Sequence, residues 1–291
     1  MCCTNCHSSF GPAGNIPTTM CVRWHTRILA LTLACALVSC NAIVAQVPGE
    51  LSGNINVRWG QPGGSCRILI KSYYVICEDV PHRVPLWVSY HLGREDLVSH
   101  AKRTNGFRAD PDLPAGQRAE LRDYNSSGYD RGHMAPAADF KRNAEAMSET
   151  FFLSNMAPQR PNLNRMSWER LESSVRDLAA RHGSIWIITG PLYLDSAGHR
   201  MTAPDEFIGA DSVAVPTHFF KVILCEHPAG HYEMFAFIMR NQKTPLPGTA
   251  RDYLVSVSRV EQLSGLDFFA ALPDAVERPL EAAAATNWPV P

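Results

Sequence analysis

Beyond residue 40 the chain is poor in cysteine. The full sequence of 291 residues has nine, but only Cys66, Cys77 and Cys225 follow Cys40. None of the three sits in a CxxC pair or beside a histidine at metal-ligand spacing, which excludes a cysteine-built structural zinc site in that region. Net positive charge is lacking too: 27 Lys and Arg face 28 Asp and Glu, a formal charge of -1. Residues 1–40 hold Arg23 and Arg27 and no acid, so the remainder carries 25 basic against 28 acidic residues. That excludes a protein that coats nucleic acid through a broad basic surface, and any phosphate binding must come from local clustering of cations. A membrane-spanning run is missing as well, since Ile28–Val38 is apolar for about eleven residues where a span needs about twenty. No internal repeat is present.

What the chain has is 45 % apolar residues, enough for the core of one large domain or two small ones. The basic flank Arg23-Trp24-His25-Thr26-Arg27 ahead of the apolar run has the layout of an export signal. Met20 stands at the distance from that run expected of a start residue. Leu37-Val38-Ser39-Cys40 has the form of a lipoprotein cleavage box, with Cys40 lipidated and membrane-anchored. Ala45-Gln46 offers an ordinary signal-peptidase cut instead. Both leave an exported protein that is periplasmic, outer-membrane-anchored or secreted.

Residues 46–65 are Gly, Pro and polar and read as a linker. Arg67–Ile76 reads as two short strands around Lys71-Ser72, flanked by Cys66 and Cys77. In an oxidising compartment a disulfide closing this hairpin is expected, stabilising by about 2–3 kcal/mol in the loop-entropy account. Val84–Leu92 is a further strand. Residues 101–128 are polar, with turn signals at Asp110-Pro111, Leu113-Pro114 and Ser127-Gly128, and predict a long surface segment. Asn143 is an N-cap for a short helix to Thr150. A long helix is predicted from about Leu163 to His182, with Trp168, Leu171, Val175, Leu178 and Ala179 on its apolar face and Gly183 as its stop. Strands follow at 184–189, 217–225 and 231–239, and a late helix at 256–263. The class is α+β. The organisation expected is an N-terminal extension with signal peptide over 1–45, the linker 46–65, one domain over 66–272 and a peripheral tail over 273–291.

The chemistry concentrates in Tyr129-Asp130-Arg131-Gly132-His133-Met134-Ala135-Pro136. If Asp130–Met134 is extended, Arg131 and His133 leave the same face of the strand, and Asp130 points away as support for the loop. Gly132 between them leaves backbone room for a bulky ligand. A phosphodiester hydrolase needs a base for water and a cation for the phosphate. An imidazole suits the first and a guanidinium fork the second. Asn155, Gln159, Asn162 and Asn164 supply amide oxygens for a hard divalent cation or for substrate. Glu172, eight residues beyond Asn164, lies about 80° around an ideal α-helix, placed to act through water on the metal.

Asp-Arg-Gly-His at 130–133, Leu-Ser-Asn-Met-Ala-Pro-Gln at 153–159, and Leu163-Asn164 with Trp168, Leu171 and Glu172 together resemble the DNA/RNA non-specific endonuclease family, whose members include the secreted Serratia nuclease and mitochondrial endonuclease G. The resemblance implies a ββα-metal fold, a central antiparallel sheet with one long metal-binding helix. It implies Mg²⁺, with Mn²⁺ as a substitute, DNA and RNA as substrates bound through phosphate, and 5′-phosphate products. It makes His133 the general base, Asn164 the direct metal ligand and Arg131 the stabiliser of the transition state. Asn155 would position the scissile phosphate, and Glu172 would act through metal-bound water. The family also uses an arginine ahead of the catalytic strand, here Arg103, with Arg108 as second candidate. Oligomeric state is open, and a homodimer is compatible with the sequence.

Three other readings compete. A zinc-using HNH nuclease would need more histidines on the helix, which has none before His182. A catalytically silent nucleic-acid-binding lipoprotein sits poorly with an intact Arg131, His133 and Asn164. A structural or adhesion protein would leave the motif unexplained.

Overall fold

The computed structural model of the chain describes residues 51–283 and 288–289, all within one compact unit, Ala45–Pro291. The export signal, Cys40 and the Ala45-Gln46 cut fall outside the described residues. In chain order the strands and helices are β1 (Arg67–Ile70), β2 (Val75–Asp79), β3 (Val84–Gly93), β4 (Asp130–His133), α1 (Ala144–Glu149), β5 (Met156–Gln159), α2 (Glu169–His182), β6 (Ser184–Leu192), β7 (Phe207–Ile208), β8 (Val213–Ala214), β9 (His218–His227), β10 (His231–Arg240), β11 (Leu254–Val255), α3 (Val257–Ser264) and α4 (Asp274–Ala282).

Seven strands form one sheet in the order β1-β2-β3-β6-β9-β10-β11, with every neighbour antiparallel. Its central strands are buried on both faces, which is why they read as nearly continuous apolar runs. Alternation sorts them. Ile185 and Ile187 of β6 and Phe219 and Ile223 of β9 join one core with Leu171, Val175 and Leu178 of α2. Trp186, Ile188, Val222 and Leu224 join the opposite core with Val257, Val260 and Leu263 of α3. β4 and β5 form a separate antiparallel pair followed by the long helix, which gives the ββα unit within an α+β architecture.

Several expectations need correcting. From residue 51 the supposed linker is packed structure. Leu51 and Val57 are in the core, Gly63 O accepts from Trp87 Nε1 at 2.8 Å, and Asn56 Oδ1 accepts from the His91 amide at 3.0 Å. The supposed tail contains α4, and Trp288, wholly buried, lies edge-on to Phe235 and Phe237 at 5.0 and 4.9 Å. Alanine and proline content suggested a periphery because it hid these few large side chains.

The polar segment 101–128 is anchored rather than loose. Asp110 is wholly buried and takes Lys71 Nζ at 2.8 Å and the hydroxyl of Ser154. Its acids therefore serve as internal partners for backbone and lysine. Cys66 and Cys77 are joined as a disulfide with their Cα atoms 5.4 Å apart, and Cys225 is a buried free thiol. Among the described residues no helix is long and apolar enough to cross a membrane.

The long helix is not α-helical throughout. Leu163–Trp168 is a π-helical turn, and α2 continues it to His182 before Gly183 ends it at φ 90°. The i→i+5 turn puts Leu163 and Trp168, both 1 % exposed, on the same buried side. An α-helix would hold two residues five apart on different faces.

Candidate active site

β4 and β5 pair with Asp130 opposite Gln159, Gly132 opposite Ala157 and His133 opposite Met156. Extended backbone over Asp130–His133 sends Arg131 and His133 to one face, where both line an open cavity of about 510 Å³. Asn164, Glu169, Glu172 and Arg176 line it from the helix, and Arg103 and Phe107 from the segment ahead of the strand.

His133 is 8 % exposed, and its Nε2 is buried without a hydrogen-bond partner in the protein. Phe107 and Phe151 flank the ring at 5.6 and 5.2 Å. Burial, reinforced by the positive charges of Arg103 and Arg131, pushes its pKa down to about 3, so the imidazole is neutral and free to accept a proton. The two arginines rest on the same aromatic shelf, Arg131 over Phe107 at 4.2 Å and Arg103 over Phe151 at 5.5 Å. Arg108, the alternative to Arg103, is not on the cavity; it stacks on Phe152 at 4.0 Å and donates to Ser148 O at 2.9 Å.

Asn164 donates its Nδ2 to Asp130 Oδ2 at 2.9 Å. Arg165 grips the same carboxylate, Nε to Oδ2 at 2.7 Å and Nη2 to Oδ1 at 2.6 Å. Asp130 thus corrects an expectation: it lines the cavity and joins strand to helix. With its nitrogen committed, the Asn164 amide has its oxygen as the remaining donor to a cation. The π-turn also corrects the helical geometry. One extra residue within the turn makes the eight-residue interval to Glu172 equivalent to about seven α-helical steps. The two side chains are then within about 20° rather than about 80° of each other.

Behind Glu172 lies a buried ionic group. Asp139 accepts from Tyr90 Oη at 2.8 Å and from Arg176 at 3.1 Å. Lys221, wholly buried, donates to Thr189 Oγ1 at 2.7 Å and sits 5.1 Å from the centre of the Trp168 ring. Burial pushes the Glu172 carboxyl up to about 7, against the opposing pull of Lys221. It pushes Lys221 down, with Glu172 pulling the other way.

Two expected substrate contacts are not at the cavity. Asn155 is wholly buried. Its Oδ1 accepts from the Ala135 amide at 2.9 Å, and its Nδ2 donates to Ala135 O and Thr150 O, each at 2.9 Å. It clamps the chain just after His133. Gln159 is also wholly buried and covers Gly132, where an added Cβ would fall 2.3 Å from its Oε1. The room that Gly132 leaves is therefore filled by Gln159, not by a ligand. An amide in a motif reads the same whether it faces solvent or the core, so the sequence could not separate these two from Asn164.

Sequence reasoning missed Phe107, Arg165, Glu169 and Arg176. Arg176 could have been found, since it lies one helical turn beyond Glu172 on the same face; Phe107 carried no signal. Together Arg103, Arg131, Arg165 and Arg176 supply the local cationic cluster that a near-neutral chain requires. The oxygen-rich set of Asn164, Glu169 and Glu172, with Asp130 bracing Asn164 and an unpartnered imidazole beside it, fits a hard divalent cation.

A family model described as DNA/RNA non-specific endonuclease matches residues 53–275. The chain is 37 % identical over 224 residues to "Endonuclease G, mitochondrial" of Bos taurus, covering 76 % of this chain and 73 % of that one. It is 36 % identical over 235 residues to "Mitochondrial nuclease" of Saccharomyces cerevisiae, covering 77 % and 71 %. Among solved structures it is similar to that of the EndoG/EndoGI complex, with TM-score 0.71 and 34 % identity over 79 % of this chain and 95 % of that one. The chain belongs to the DNA/RNA non-specific endonuclease family and is a nuclease. The expectation of a periplasmic, outer-membrane-anchored or secreted protein is overturned, because these relatives are named as mitochondrial nucleases. The basic-flanked apolar run misled because its length and flank describe export signals in general without naming a compartment.

Proposed function

We propose that this nuclease hydrolyses phosphodiester bonds in both DNA and RNA with the help of one divalent cation, Mg²⁺ or Mn²⁺, and leaves 5′-phosphate ends. The observation that carries the reading is the buried, unpartnered Nε2 of His133, set between Arg103 and Arg131 in a cavity shared with Asn164 and Glu172.

His133 takes the proton from the attacking water. Its ring is held by Phe107 and Phe151, and its low proton affinity keeps it unprotonated before substrate arrives. A bound phosphate offsets the charge of Arg103 and Arg131, which raises the affinity of the imidazole for the proton as the water approaches. Arg131 pairs with phosphate oxygens, and its guanidinium stabilises the extra charge of the transition state. Asn164 would hold the cation directly, and Glu172 would act on it through water. When bound, the cation supplies Lewis-acid stabilisation of the phosphate and of the leaving oxygen. Contacts to phosphate rather than base edges make cleavage indifferent to sequence and sugar.

The test is digestion of plasmid DNA and of RNA by purified protein, with Mg²⁺ and with EDTA, and 5′-end analysis of the products. Cleavage of both substrates, abolished by EDTA and by His133→Ala, is expected. A His133→Ala protein that still cuts in a metal-dependent way overturns the mechanism.

A further inference from the structure

At the other end of α2 from Asn164, three side chains meet that the nuclease reaction does not use. His182 is the last residue of α2, His227 the last of β9, and Glu233 lies near the start of β10. Glu233 is opposite Cys225 in the ladder, and Cys225 is two residues before His227, so His227 and Glu233 share the sheet face on which α2 packs. His182 Nδ1 and His227 Nδ1 are 3.4 Å apart, with ring planes crossed at 81°. His227 Nε2 is 2.9 Å from Glu233 Oε2. Donor atoms of all three groups lie within 4.8 Å of one another.

The hydrogen-bond arithmetic of this cluster has one loose end. The carboxylate accepts only, so His227 Nε2 carries the proton, and the neutral ring then presents its lone pair at Nδ1. That lone pair faces His182 Nδ1 at a separation longer than an ordinary N–H hydrogen bond, about 2.7–3.2 Å. For Zn–N bonds of about 2.0–2.1 Å in a tetrahedron, two ligand nitrogens stand about 3.3–3.4 Å apart. A carboxylate on the far nitrogen of a ligating imidazole is the usual outer support of zinc histidines. The C-terminal end of α2 also favours a cation.

We propose that His182 and His227 bind a zinc-type transition-metal ion through their Nδ1 atoms, with Glu233 holding the His227 ring from its far nitrogen. The donor set is nitrogen-rich, unlike the oxygen-rich catalytic cavity, so the two sites select different metals. The bound ion ties the end of α2 to the β9–β10 hairpin. Movement of the helix end relative to the sheet is thereby restrained.

The test uses the full chain, stripped of metal and with its accessible thiols alkylated so that no cysteine competes. Zn²⁺ is titrated against a chromophoric chelator, and Co²⁺ is added separately to record d–d absorption. One equivalent is expected to bind the parent and to remain in His133→Ala. His182→Asn and His227→Asn should each lose that equivalent together with its Co²⁺ bands, and Glu233→Gln should weaken it about 10–100-fold. Metal-free circular dichroism and melting temperature identify any variant that failed to fold, and Glu233→Gln, the mildest change, then decides. Parent protein that binds no such equivalent, or variants that bind it as tightly as the parent, overturn the proposal.

Discussion

Asn164 Nδ2 and Asp130 Oδ2 are 2.9 Å apart, and this bond joins the strand that carries the base to the helix that carries the proposed metal ligand. Asp130→Ala removes it together with both Arg165 contacts. Outer partners of this kind are worth about 10–100-fold in metal affinity. The Mg²⁺ concentration for half-maximal cleavage should rise by about that factor, and saturating Mg²⁺ should restore much of kcat. Metal titrations of the rate check this; a kcat loss that no metal concentration repairs contradicts it.

His133→Asn should lower kcat about 10²–10⁴-fold, the usual contribution of a positioned base. It should also change acid stability. In the folded protein His133 protonates at about 3, against about 6.5 unfolded. Below 6.5 the unfolded chain therefore binds more protons, and stability is lost as pH falls from about 6.5 toward 3. Urea unfolding in EDTA across that range should show a shallower acid loss in the variant.

Glu172 works in the opposite sense. Its folded pKa of about 7 lies above the ordinary carboxylate value, so the folded protein binds the extra proton. The stability this gives is complete below about 4.5 and is lost as pH rises through about 7. Glu172→Gln should flatten the metal-free stability profile over that window, as measured by denaturant midpoints at successive pH values.

Lys221→Met leaves Asp139 and Glu172 in the interior with Arg176 as the cation that remains of the buried group. Removing one member of such a group costs about 3–5 kcal/mol. Denaturant unfolding at pH 7 should show a loss of that order, and the variant should recover stability as the pH is lowered and Glu172 protonates.

Asn155→Ala should act on the fold more than on substrate affinity. It breaks three buried hydrogen bonds and strands the Ala135 amide and two carbonyls, at about 1 kcal/mol or more apiece. A lowered melting temperature with KM unchanged in the surviving enzyme is the expected pattern.

The ββα unit was legible because its signals are local. A strand with functional residues two apart, a helix with a clear apolar face and a glycine stop each follow from short-range rules. His133, Arg131, Asn164, Glu172 and Arg103 reach the cavity. Asn155 and Gln159 do not, because the sequence gives no sign of which face an amide buries. The packing of residues 51–65 and of Trp288 was illegible for a related reason. A few large side chains in a Gly-, Pro- or Ala-rich stretch find their partners only when the distant sheet is in place. Asp110 shows the same in reverse, a polar residue that looks solvated until Lys71 and Ser154 arrive.

The wide turn at Leu163–Trp168 makes the helix two rulers joined out of phase. Downstream, Leu171, Val175 and Leu178 keep time with the core; upstream, Asn164 keeps time with the cavity. Winding the same residues as an unbroken α-helix, with none removed, would put eight full helical steps between Asn164 and Glu172 in place of about seven. The core contacts downstream would survive, while Asn164 would swing about 100° from its place beside Asp130. Foldability and catalysis are thus separable within one helical turn: the downstream core can be packed while the proposed metal ligand faces away from the cavity.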